Sequence, residues 1–154
     1  MDTLLKQVIT DFPGLHFSEG REFYWSPREK TVYYTQENHF TTPWTLLHEI
    51  SHGLLEHKTF TSDFELLQLE LAAWIKAKEL ASTYDVLIEE NHIEDCLDTY
   101  RDWLHKRSVC PGCSTKSLQQ TPGVYSCLNC SKEWRVSSNR LCRPYRAYTK
   151  IGAT

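Results

Sequence analysis

The sequence predicts an α+β fold in two parts, with helices and a small antiparallel sheet over residues 1–106 and a small C-terminal domain over residues 107–154. Three observations lead there. Stretches of helical apolar period, several with capping residues, alternate with one short hairpin pattern in the first two thirds of the chain. The last third holds four cysteines as two CxxC pairs, Cys110/Cys113 and Cys127/Cys130. The charge balance reverses at the same place: residues 1–104 carry 8 Lys and Arg against 19 Asp and Glu, whereas residues 105–154 carry 9 against 1, so the net charges are −11 and +8.

The elements follow in order. Residues 2–10 form a short amphipathic helix with Leu5, Val8 and Ile9 on one side, stopped by Phe12-Pro13-Gly14. Residues 15–18 read as a strand, and 23–25 with 31–35 read as a hairpin around Ser26-Pro27-Arg28-Glu29-Lys30. The strand 31–35 is expected at a sheet edge. Thr42 and Pro43 supply an N-cap and a first-turn proline for a helix to about His57. Ser62 and Glu65 match a capping box that opens a helix over 63–83, and a further helix spans 91–106. Lys106 to Val109 reads as the linker.

The chemistry concentrates in His48-Glu49-Ile50-Ser51-His52, with Glu70 eighteen positions beyond the second histidine. Residues i and i+4 share a helix face, so His48 and His52 can address one ion. Glu49 is turned away from His48 by about 100°. That sets it beside the ion, where it can take a proton from water. Glu70, on the next helix, is the candidate third ligand, and three protein ligands with one open corner are what catalytic zinc requires. Small Ala72 and Ala73 allow the two helices to approach, and Trp74 lies one turn from Glu70.

HEISHGLLEH followed by LELAAWIKAKELA resembles the ImmA/IrrE-type zinc peptidases, which are small gluzincins. The resemblance implies that His48, His52 and Glu70 bind a catalytic zinc and that Glu49 is the general base. The family often has glycine before the second histidine, where this chain has Ser51. An edge strand near such a site can pair with an extended peptide, and Tyr33 or Tyr34 is a candidate donor to the oxyanion, beside the plainer reading of each as a core or surface tyrosine. His57 lies off the ligand face, in a capping or supporting position. Cys96 falls at helical spacing with Ile93, Leu97 and Tyr100 and reads as a buried core thiol.

The CxxC pairs are separated by thirteen residues, the spacing of a zinc ribbon, in which two knuckles close a tetrahedron of thiolates. Two disulfides are the alternative. The expected complement is therefore two Zn2+ per chain, one catalytic and one structural. The basic C-terminal part interleaves Tyr125, Trp134, Tyr145 and Tyr148 with Arg135, Arg140, Arg143, Arg146 and Lys150. Aromatic faces stack on unpaired bases while cations follow phosphates, which points to single-stranded nucleic acid. The alternative is that the basic tail lies on the chain's own acidic part. Cys142, set among arginines, is a candidate inhibitory ligand for the open corner of the catalytic zinc. A plain surface or packed thiol is the competing reading.

A gluzincin followed by a basic zinc ribbon resembles the CapP-type peptidases of bacterial anti-phage regulatory operons. This resemblance implies cleavage of a helix-turn-helix repressor, activation by single-stranded DNA and induction of defence genes. Two other readings stay open: a SprT-like DNA-dependent protease, whose third ligand is a histidine, and a non-catalytic zinc-ribbon regulator. With 40% hydrophobic residues, no apolar run like a signal peptide and no stretch near about 20 apolar residues, a cytoplasmic protein without a membrane span is expected.

Overall fold

A computed structural model describes residues 2–137 and the backbone of 146–148. It is α+β, with the order α1 (Asp2–Asp11), β1 (His16–Glu19), β2 (Tyr24–Ser26), β3 (Thr31–Tyr34), α2 (Thr42–Leu54), α3 (Asp63–Thr83), α4 (Glu90–Ser108), β4 (Leu118–Thr121), β5 (Val124–Ser126), β6 (Glu133–Val136) and β7 (Arg146–Tyr148). None of the helices is long and apolar enough to cross a membrane among the described residues. The chain divides into two compact units, residues 1–59 with 69–93, and residues 60–68 with 94–154. The stretch read as a linker is helical, because α4 runs unbroken through Lys106 and Arg107 to Ser108.

In the first unit the sheet has the order β1-β3-β2. It is mixed and not purely antiparallel: β1 pairs parallel with β3, and β2 pairs antiparallel with it. β3 is therefore the central strand, which corrects its expected place at the edge. Its β-branched residues explain this, since Thr31 and Val32 are both buried and suit a strand partnered on each side. The edge beside α2 is β2. In α1 the buried residues are Leu4 and Val8, while Ile9 is exposed.

α2 begins with Pro43 in its first turn, as expected, but Thr42 does not cap it. The Thr42 hydroxyl instead accepts the His39 N–H at 3.0 Å and donates to the Glu37 carbonyl at 3.1 Å, tying down the preceding loop. The helix ends three residues earlier than expected, at Leu54, in a Schellman turn: Glu56 takes a left-handed φ of 53°, and the His57 N–H reaches the His52 carbonyl at 3.0 Å. Gly53 sits where α2 meets the sheet. A Cβ there would stand 3.1 Å from both Leu15 and Trp25. Gly53→Ala is expected to lower stability by about 1 kcal/mol, overpacking outweighing the gain in helix propensity; a denaturant midpoint at or above the parent's would contradict this.

α3 opens as the Ser62/Glu65 pattern predicts, with one difference. Ser62 Oγ accepts the Glu65 N–H at 3.1 Å, but the Glu65 carboxylate reaches back to Thr61, accepting its N–H at 2.6 Å and its hydroxyl at 2.7 Å. Ala73, Ala77 and Ala81 form a buried stripe of small residues along one face. Such a face brings its neighbours close and sets the depth at which Glu70 and Trp74 enter the first unit's core.

The second unit is a four-stranded sheet, β4-β5-β6-β7, with the start of α3 and most of α4. Its apolar centre is small: Tyr125, Trp134, Cys110 and Cys127, with Cys113 and Val136 against them. Arg107, 2% exposed, donates from Nε to Asp63 at 2.7 Å and lies 4.1 Å over the Trp103 ring. Tyr125 donates to the same Asp63 carboxylate at 2.6 Å. Asp63 is buried but fully partnered, as a charge at that depth must be. Tyr125→Phe is expected to cost roughly 1.5–3 kcal/mol, the range for a hydrogen bond to a charged group, read as a shift in the unfolding midpoint of this unit.

Candidate metal centres

The first centre is built by α2 and α3. His48 and His52 lie one turn apart on the buried face of α2, and Glu70 faces them from the second turn of α3. His48 Nε2 stands 3.2 Å from Glu70 Oε2 and 3.1 Å from His52 Nε2, and His52 Nε2 is 3.6 Å from Glu70 Oε1. All three residues are buried. Zinc with ligand bonds near 2.0–2.1 Å in tetrahedral array sets neighbouring donors about 3.3 Å apart. The three separations bracket that figure, so the donor set fits zinc. No fourth His, Cys, Asp or Glu joins the group among the described residues.

The electrostatics agree. Burial alone would push the Glu70 carboxyl up, but the His48 and His52 rings outweigh it and hold the group ionised, well below the usual carboxylate range. Glu49 goes the other way: burial raises its carboxyl, against the pull of His48 and His52. Glu49 is not among the clustered donors. Its Oε2 accepts the backbone N–H of Trp25 at 2.8 Å, on the edge of β2 that is not paired with β3. A carboxylate with one oxygen so held and a raised proton affinity is suited to general-base work.

The rings around the centre are ordered. The Trp74 indole stacks on His48, with centroids 4.2 Å apart and planes 28° apart. His92 meets Trp44 and Trp74 edge-on, outside the donor cluster, and His105 is an exposed residue of α4 in the second unit. Ser51, where the resembled family has glycine, is buried and donates to the Leu47 carbonyl at 2.7 Å. Neither tyrosine considered for the oxyanion is brought into the cluster. The Tyr33 hydroxyl donates to Glu29 at 2.8 Å and is pushed up to about 12 by that bond, while Tyr34 lines a groove against Asp2, Thr3 and Leu5.

The second centre is made by two matching knuckles. The Cys110 carbonyl accepts from Ser114 N–H at 2.9 Å and the Cys127 carbonyl from Ser131 N–H at 2.8 Å, and both serines have a left-handed φ near 60°. Cys110 N–H bonds Thr115, and Cys127 N–H bonds Lys132, each at 2.9 Å. The Sγ atoms of Cys110 and Cys130 are 3.5 Å apart, as are those of Cys113 and Cys127. A disulfide needs about 2.05 Å, whereas neighbouring thiolates on a tetrahedral zinc stand about 3.8 Å apart. The four Sγ lie within 4.8 Å of one another. Thr115 and Asn129 pull the Cys113 thiol down to about 5. At Cys130 the Lys132 N–H acts in the same direction, but Cys110 and Cys113 outweigh it and push the thiol up to about 12. Four sulfurs at these separations fit a zinc ion held between them.

Two aromatic residues of the basic segment, Trp134 and Tyr125, lie in the core and not at a surface. Trp134 is wholly buried, its Nε1–H donates to the Arg107 carbonyl at 2.9 Å, and its ring stacks on Tyr125 with centroids 5.6 Å apart. Both rings are committed to the core, so neither is free to stack on a base. Arg135 is exposed on β6. Arg140, Cys142, Arg143 and Lys150 lie outside the described residues, and of Arg146 only the backbone in β7 is described. The charge contrast also softens, because acidic α4 belongs to the same unit: its residues 60–68 and 94–137 hold 7 acidic and 6 basic groups. Cys96 is half-buried rather than buried.

Two contributors were not anticipated from the sequence: the Trp25 N–H on Glu49 and the Asp63–Arg107–Tyr125 group. A tryptophan in a predicted strand carries no signal that its backbone will hold a carboxylate 24 residues on. Against family models, curated proteins and solved structures, the chain finds no match.

Proposed function

We propose that the chain is a zinc-dependent endopeptidase of the gluzincin kind, resembling the ImmA/IrrE-type and in particular the CapP-type peptidases. Its substrate on this reading is a partner helix-turn-helix repressor, and single-stranded DNA held by the basic C-terminal region activates it, inducing defence genes. The observation that carries the reading is the convergence of His48, His52 and Glu70 around one point, with Glu49 beside them. A zinc held there supplies Lewis acidity and brings the pKa of a bound water to about 7.

The chain's own residues do the rest. Glu70 brings one negative charge to the three-residue donor set. Glu49 accepts the proton of the attacking water through the oxygen not bonded to Trp25 and passes it to the leaving amine. For nucleic acid the remaining support is Arg135 with Arg140, Arg143, Arg146 and Lys150.

The test is to incubate the protein with the product of a neighbouring helix-turn-helix gene, with and without single-stranded DNA. A discrete cut that needs DNA is expected. A cut without DNA removes the activator from the reading, and no cut under either condition with two zinc ions bound removes the peptidase. The SprT-like alternative is disfavoured because the third donor is Glu70 and neither downstream histidine joins the cluster. A non-catalytic ribbon regulator predicts one zinc per chain instead of two.

A further inference from the structure

The two histidines of the first centre are supported by different means. His48 Nδ1 is buried and has no hydrogen-bond partner, and its ring is held by the Trp74 stack. His52 Nδ1 faces His57 Nδ1 at 2.8 Å. The Schellman turn makes this possible: the left-handed Glu56 reverses the chain, so a residue five positions on folds its ring back over His52, with planes 70° apart. The His57 carbonyl is fixed in turn by the Trp25 indole N–H at 2.8 Å. Trp25 thus holds two parts of the site, Glu49 by its backbone and His57 by its side chain.

We propose that His57 is a positioning residue, accepting a hydrogen bond from His52 Nδ1–H so that His52 presents a bare Nε2 to the metal. Only one proton fits between two nitrogens 2.8 Å apart. If it sits on His57, His52 Nδ1 is the acceptor and its Nε2 must carry the other proton, which closes it to a metal. If it sits on His52, Nε2 is free. The geometry makes the second arrangement the binding one, with Trp25 keeping the His57 ring within reach. This inference rests on the metal-centre reading above and assigns His57 no contact with substrate.

The test reads metal affinity. Cobalt(II) substituted for zinc reports both centres separately, because only the four-thiolate centre gives sulfur-to-metal absorption. In His57→Phe the ring stays and the acceptor goes, and the affinity of the histidine centre is expected to fall roughly 10- to 100-fold, the usual loss when a ligand's supporting partner is removed. The thiolate centre keeps its affinity. His57→Asn, whose amide oxygen can stand where Nδ1 stood, is expected to recover most of the loss. Parent-like affinity in His57→Phe, or equal affinity in the Phe and Asn variants, overturns the proposal. Should the Phe variant fail to fold, the Asn variant is compared with His57→Leu on the same readout. If the parent binds cobalt at the cysteines alone, the metal-centre reading falls and this proposal with it. If the parent loads both centres yet cuts nothing, the peptidase reading fails while the affinity comparison still decides the role of His57.

Discussion

Glu49→Gln is expected to keep two zinc ions per chain and to lose peptide cleavage by about 10²- to 10⁴-fold, the contribution of a positioned general base. The separation between binding and turnover is sharp because Glu49 is not one of the three converging donors. A glutamine amide oxygen can still accept the Trp25 N–H, so the bond that orients the side chain survives the change. What disappears is the ability to hold a proton. Metal analysis and a cleavage assay on the same preparation check this. A variant that has lost zinc would place Glu49 among the ligands, and a variant of full activity would mean that another group is the base.

Cys127→Ser is expected to have a comparably large effect on structure. The apolar centre of the second unit includes two of the four thiolates themselves, with Tyr125 and Trp134. So little core cannot offset the entropy of ordering the strands. Structural zinc contributes about 10–16 kcal/mol in isolated fingers at neutral pH, at or above the whole stability of a typical domain. Losing one ligand should therefore leave β4, β5 and β6 unprotected in hydrogen exchange, where the parent protects them. Full protection in the variant would show that the Asp63–Arg107–Tyr125 group holds this unit without metal.

What could be read in advance depended on how local the signal was. The α3 start was legible because its cap lies within four residues of sequence, and both metal clusters were legible because their spacing matches helix and knuckle geometry. The sheet was less so. A run of Thr, Val, Tyr and Tyr fits an edge or a centre equally, and only the parallel docking of His16–Glu19 against it decides. Trp134 shows the opposite failure. Its basic neighbours suggested a surface, but in a β-strand alternate residues face opposite ways. Arg135 lies outside and Trp134 inside. Composition along a segment does not resolve the two faces; pairing with Tyr125 does.

The cysteine-bearing unit is discontinuous along the chain, with residues 60–68 returning to it across the whole stretch that carries Glu70 and Trp74. A gene break after residue 106 would part Arg107 from most of α4 and from Asp63, the carboxylate it pairs with. The helix start at Asp63 and the cysteine-bearing strands therefore belong to one compact unit. Related chains that lack the cysteines should also lack an aspartate there.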